Sequence, residues 1–161
     1  MLRNQAIKTI LILALIPVIA FGRVTTSKTF GDQKAVKEFA RDYGRPFGYE
    51  RTLPAIAEME SSLGVNMENP KDAGGGSYGI FGITIEWAMQ HLPQTDTTEV
   101  IEMLMDPIVN AHLAVEKLNH ARRWYLIRKG RKATWLETWS SYNGSRAYGL
   151  AIQDKIRGYP R

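Results

Sequence analysis

The sequence predicts a mostly α, single-domain protein built around one long glycine-rich loop. Three observations lead there. Apolar residues recur three and four positions apart through successive segments, the spacing that lines one face of a helix. Capping residues, prolines and glycines bound these segments. No run alternates apolar and polar residues long enough to build a large sheet. The 161 residues, 44% hydrophobic and 23% charged, suit one domain with a core that needs no staples. There is no cysteine, which excludes disulfides, thiol nucleophiles, cysteine metal sites and a lipid-modified N-terminal cysteine.

The elements follow in order. Arg3 and Lys8 precede an apolar run from Thr9 to Gly22 that contains no acid, and Ala20-Phe21-Gly22 puts small residues where a signal peptidase reads. Residues 1–22 are therefore expected to be a secretory signal peptide, or an uncleaved signal anchor, in an exported periplasmic or envelope protein. The run is short of the roughly 20 apolar residues of a membrane span, and a buried N-terminal helix is ranked below export because the flanks are basic and Pro17 interrupts the run. Cleavage would take Arg3 and Lys8 and lower the net charge from +5 to +3. Residues 23–32 read as a polar linker and 33–161 as the folded domain.

Gln33 to Tyr43 is amphipathic, with Val36, Phe39 and Ala40 on one side. Thr52 is the expected cap of a helix reaching about Ser62, stopped by Gly64. Gly64 to Ile83 is irregular. Thr84 caps a short helix through Trp87 to His91, ended near Pro93, and Thr97 or Thr98 starts the next, with Val100, Ile101 and Leu104. Asp106-Pro107 is a cap acid followed by a first-turn proline. The helix it opens carries Ile108, Ala111, Val115 and Leu118 on one face and runs to about Lys129, before Gly130. Thr134 to Tyr142 holds Trp135 and Trp139 four apart, and Arg146 to Ile156 closes the chain.

The most unusual residue is Glu60. It lies seven after Leu53, four after Ile56 and three after Ala57, inside the apolar stripe of its helix. Apolar neighbours disfavour a carboxylate's charged form and raise its pKa, which suits a general acid near neutral pH. A buried glutamate in a structural hydrogen-bond network carries the same signature. Glu58 points elsewhere and reads as a solvated helix residue. The glycines from Gly74 to Gly82 let backbone approach a ligand closely. Gly74, Gly76 and Gly79 fit G-x-G-x-x-G, but no predicted strand precedes them, and the dinucleotide reading is rejected. A flexible surface loop suits Gly74 to Gly76; Tyr78 to Ile83 is too apolar to be left in water.

Four segments in order resemble the lytic transglycosylase domain of the soluble type, a relative of goose-type lysozyme. They are Ala57-Glu58-Met59-Glu60-Ser61, Tyr78-Gly79-Ile80-Phe81-Gly82-Ile83, Asp106-Pro107-Ile108-Val109-Asn110 and Ser141-Tyr142-Asn143-Gly144. The resemblance implies a lysozyme-like fold with a glycan cleft beside the glycine-rich loop. It also implies cleavage of the β-1,4 bond between N-acetylmuramic acid and N-acetylglucosamine, with closure of a 1,6-anhydro ring and no cofactor or metal. Glu60 aligns with the catalytic glutamate and Tyr142 with the tyrosine that orients it. Ser61, Tyr78, Gly79, Ile80, Phe81, Gly82 and Asn143 align with positions that line or flank the glycan cleft; Asp106 and Asn110 align with structural positions. The chain departs from the family pattern at Gly82, where the family has glutamine, and at Ala73, where it has serine.

The alternatives are a hydrolytic muramidase, with Asp72, Glu68 or Glu86 activating water, and a weakly catalytic glycan-binding part of an envelope-spanning machine. Expected partners are peptidoglycan strands and a secretion, conjugation or phage assembly, with membrane contact only through the N-terminal segment. Trp87, Trp124, Trp135 and Trp139 are candidate sugar-stacking residues, although paired aromatics at helical spacing are more often core. Arg122, Arg123, Arg128, Lys129, Arg131 and Lys132 form a basic cluster, read as a solvated helix end and not as a nucleic-acid site. His91, His112 and His120 lack metal spacing. Ser61, Ser77 and Ser145 are read as sitting in no G-x-S-x-G elbow, so a serine hydrolase is not expected.

Overall fold

A computed structural model describes residues 32–93 and 96–159. The predicted signal segment and all of the linker except Asp32 lie outside the described residues. The described residues are mostly helical, with seven α-helices, one 3₁₀ turn and a three-stranded antiparallel sheet of two-residue strands. None of the helices is long and apolar enough to cross a membrane.

Helix α1 (Gln33–Gly44) is capped by Asp32, whose carboxylate accepts from the Lys34 N–H at 2.9 Å, and buries Val36, Ala40 and Gly44. A 3₁₀ turn, Arg45–Phe47, leads to α2 (Thr52–Ser61). Arg51, not Thr52, is the N-cap, and the Thr52 hydroxyl instead accepts from the Trp139 indole at 3.2 Å. Leu53 through Ala57 are all buried, so α2 enters the core on every side rather than along one stripe. The helix ends before Gly64: Ser62 and Leu63 already take left-handed backbone, at φ 52° and 58°.

The sheet is β1 (Glu68–Asn69), β2 (Ser77–Tyr78) and β3 (Ile83–Thr84), in that order, with Tyr78 opposite both Glu68 and Ile83. Helices α3 (Ile85–Met89) and α4 (Thr97–Met105) follow, capped by Thr84 and Asp96. Asp106 closes α4 and opens α5 (Pro107–Lys129), its carboxylate accepting from the N–H groups of Ile108 and Val109 at 2.8 and 3.0 Å. Of the apolar face read from the sequence, Ala111, Val115 and Leu118 are buried, while Ile108, at the α4–α5 corner, is exposed. Helix α6 (Trp135–Asn143) starts with a capping box between Thr134 and Glu137, and α7 (Arg146–Arg157) packs on α6 and α2. One core cluster draws on all seven helices and on β2 and β3.

Candidate active site

The C-terminal turn of α2 and the β2–β3 hairpin meet at Glu60. Several side chains fix the hairpin turn, Gly79 to Gly82, so that it has little freedom. Asn110, fully buried on α5, donates from its amide to the Tyr78 carbonyl at 2.9 Å and accepts from the Phe81 N–H at 2.8 Å. Ser61 donates its hydroxyl to the Ile80 carbonyl at 2.8 Å and accepts from the Gly64 N–H at 2.8 Å, stapling the end of α2 to the turn. Tyr142 donates to the Phe81 carbonyl at 2.8 Å. Gly79 has φ 78°, and a Cβ there would run into the Asn110 amide and the Leu104 carbonyl.

Gly82 is the member of this segment that opens toward the glutamate. Tyr78 through Phe81 and Ile83 are buried, and Gly82 alone among Tyr78 to Ile83 retains some exposure. At φ 58°, a Cβ on Gly82 would sit 2.6 Å from Glu60 Oε2. The absent side chain is the space the carboxyl occupies. Glu60 is half-buried, and its Oε1 has no hydrogen-bond partner. Burial raises its pKa above the usual 4.5; the Tyr148 hydroxyl and the Lys117 ammonium work against that, and Asp72 adds to it.

The structure brings Glu60, Ser61, Tyr142 and the Tyr78–Gly82 segment into one region, but the expected roles change. The Tyr142 hydroxyl donates to the Phe81 carbonyl and not to Glu60, so it bears on the glutamate through the turn and through the proximity of the Glu60 charge. The phenol that bears directly on Glu60 is Tyr148, on α7, stacked on Tyr142 with ring centroids 6.2 Å apart. The Tyr148 hydroxyl is buried and completes no hydrogen bond. Ser61 is fully buried and committed to backbone, which removes it as a direct ligand contact. The same holds for the carbonyls of Tyr78, Ile80 and Phe81 and the N–H of Phe81, which are satisfied inside the protein. Asn143, the last residue of α6, is exposed.

Glu58 departs from the solvated role expected for it. Lys155 Nζ lies 2.6 Å from its Oε1, and the Tyr159 hydroxyl donates to Oε2 at 2.9 Å. Burial would raise its pKa, but those two hydrogen bonds together with the charges of Lys155 and Lys37 outweigh burial and lower it.

Sequence reasoning missed Tyr148 and Lys117. Lys117 is seven after Asn110, and Asn110, Ala114, Lys117, Ala121 and Trp124 follow one another at four- and three-residue steps on α5. A lysine on the face that holds the hairpin was the available signal. Its pKa is lowered by burial, against which Glu60 and Asp72 act, and its Nζ lies 4.6 Å from the Tyr142 ring centroid. Lys117 also lines a cavity of about 330 Å³ with Trp87, His120, Ala121, Trp124 and Ser141. Trp135 and Trp139 instead border a smaller hollow with Arg51 and Thr52, and Trp139 is buried.

Gly75-Gly76-Ser77-Tyr78-Gly79 does spell G-x-S-x-G, contrary to the sequence reading. Ser77 is nevertheless buried and paired with Asn69 and Thr84 in the sheet, not raised on a strand-to-helix elbow. Among the described residues, no three His, Asp or Glu side chains converge as a metal site requires. Compared with protein-family models, curated proteins and solved structures, the chain matches none.

Proposed function

We propose that this protein is an exported, lysozyme-like lytic transglycosylase that cleaves peptidoglycan strands, with Glu60 as its single acid and base. The observation that carries this reading is a half-buried carboxyl, with one oxygen unpartnered, fitted against the side-chain-free face of Gly82. A carboxyl whose pKa is raised by burial holds its proton to higher pH than a solvated one, which suits a proton donor. In the proposed reaction Glu60 protonates the leaving glycosidic oxygen as the muramic C1–O bond breaks and an oxocarbenium-like centre develops. The substrate's own N-acetyl oxygen stabilises that centre. Glu60, now ionised, takes the proton of the muramic 6-hydroxyl while that oxygen bonds to C1, closing the anhydro ring without water. Tyr142, Asn110 and Ser61 are positioning residues that hold the turn against which Glu60 rests. The cavity walled by Trp87 and Trp124 is the proposed sugar-stacking part of the cleft.

One observation favours a second reading. Asp72, exposed on the loop before β2, is close enough for its charge to raise the Glu60 pKa. A second carboxylate facing the acid is what a hydrolytic muramidase uses to activate water. Mass spectrometry of peptidoglycan digested by the purified protein separates the two: anhydro ends are expected, and reducing ends would assign hydrolysis with Asp72. Glu60→Gln should abolish release. Retained release in that variant would end the Glu60 assignment, and no release from the wild-type protein would remove the enzymatic one.

A further inference from the structure

The last two turns of α5 extend beyond the body of the protein. Ala121 is the last buried residue of the helix, and from Arg123 to Lys132 every residue except Tyr125 is exposed. Eight residues from Arg122 to Lys129 carry the helix about 12 Å past its last core contact. This arm is not simply polar. Ile127 is 78% exposed, Leu126 56% and Trp124 44%. Leu126 and Ile127 form an apolar tip over which, among the described residues, nothing is folded.

Around the tip the charge has one sign. The stretch from Arg122 to Trp135 contains six cations and no acid. Arg123 pairs with Glu116 at 3.2 Å and Arg131 with Glu137 at 2.6 Å. Arg122, Arg128, Lys129 and Lys132 have no carboxylate within ion-pair distance among the described residues. Cations and aromatics interleave: Lys129 lies over Trp124 at 5.9 Å, Arg131 over Tyr125 at 5.4 Å and Arg122 over Trp135 at 5.1 Å.

We propose that this arm docks the protein on the surface of an anionic phospholipid bilayer. Leu126 and Ile127 enter the boundary between headgroups and acyl chains, Trp124 stays at the cavity it lines, and the unpaired cations rest on lipid phosphates. A nucleic acid would satisfy the cations but leave Leu126 and Ile127 in water. A second copy would cover the aliphatics but bring two clusters of six cations together. An anionic bilayer meets both requirements at once. The projection is too short to span a membrane, which needs about 30 Å, so contact is interfacial. The inference is independent of the glycan-cleaving reading and adds a second membrane contact to the one expected of the N-terminal segment.

Because the chain has no cysteine, one engineered thiol reports on the tip alone, whatever the N-terminal segment does. Full-length Ile127→Cys, labelled with an environment-sensitive fluorophore, is mixed with phosphatidylglycerol-rich or pure phosphatidylcholine vesicles. A blue shift, quenched by brominated acyl chains and reversed by salt, is expected only with the anionic vesicles. The same label at Glu102→Cys, on exposed α4, should not respond. Neutralising two cations with Arg128→Gln and Lys129→Gln should weaken the response about 10–30-fold. No shift with anionic vesicles, an equal shift with phosphatidylcholine, or an equal response at position 102 would overturn the proposal. So would a shift produced by added RNA alone, or by raising protein concentration without vesicles.

Discussion

Gly82→Ala tests whether the hairpin and the acid are fitted to each other. The new methyl would sit 2.6 Å from Glu60 Oε2 and 3.0 Å from Glu60 Cβ. The carboxyl must retreat by about 0.8 Å to restore ordinary contact at 3.4 Å. The turn cannot yield instead, because Asn110, Ser61 and Tyr142 hold its carbonyls and the Phe81 N–H. Two consequences follow. The left-handed backbone at φ 58° costs an alanine about 1–2 kcal/mol, or about 2–8 °C in Tm for a domain of this size. In the proposed reaction a displaced acid loses its line to the glycosidic oxygen, and a misplacement of about 1 Å costs on the order of a hundredfold in rate. Thermal unfolding reads the first, and the initial rate of muropeptide release reads the second. The rate loss should exceed anything the small change in folded fraction explains, since a domain that unfolds a few degrees earlier is still folded at the assay temperature. Full activity in Gly82→Ala would refute the claim that the glycine exists to make room for the carboxyl. An undiminished Tm would refute the backbone argument separately.

Other perturbations bear on the same site. Asn110→Ala strands the Phe81 N–H and the Tyr78 carbonyl in the core and should cost on the order of 3 kcal/mol in urea unfolding. Tyr142→Phe should cost about 1–2 kcal/mol by orphaning the Phe81 carbonyl, whereas Tyr148→Phe removes an already unpartnered hydroxyl and should be neutral or stabilising. Tyr148→Phe should also move the Glu60 limb of the pH–rate profile upward, because that phenol favours the ionised form. Glu60→Gln should make the protein more stable than wild type at neutral pH, with the gain vanishing as pH falls below the ordinary glutamate value of 4.5. Glu58→Gln should do the reverse, losing stability at neutral pH and matching wild type in acid, by no more than about 1 kcal/mol for so exposed a pair.

Much of the fold was legible because helix ends are local chemistry. Asp106-Pro107 and Thr84 cap where they were expected to, and Gly130 ends α5 in left-handed backbone. Thr52 misled because a threonine before an apolar run reads as a cap, and only the partner on α6 reveals that its hydroxyl serves Trp139. Ser62 and Leu63 misled for the opposite reason: they take a backbone that their side chains disfavour, and Ser61 holds Gly64 in place behind them. Glu60 was legible from its spacing to Leu53, Ile56 and Ala57. What presses on it was not, since Lys117 and Tyr148 come from α5 and α7 and no local pattern ties them to α2.

The two glutamates of α2 show why position on a helix does not decide the fate of a charge. Glu58 and Glu60 are two residues apart, hence about 200° apart around the axis. Both meet burial, a lysine and a tyrosine hydroxyl. At Glu58 the lysine and the tyrosine reach the oxygens, at 2.6 and 2.9 Å, and ionisation is favoured. At Glu60 neither closes a hydrogen bond on Oε1, and burial prevails. Asp72 adds to the rise at Glu60 and Lys37 to the fall at Glu58, and beside these charges a completed contact offsets the loss of water where an incomplete one does not. A structural carboxylate has no reason to be left short of two partners that the fold has already brought near. A proton donor does, since any group bound to its oxygen would compete with the atom that must receive the proton.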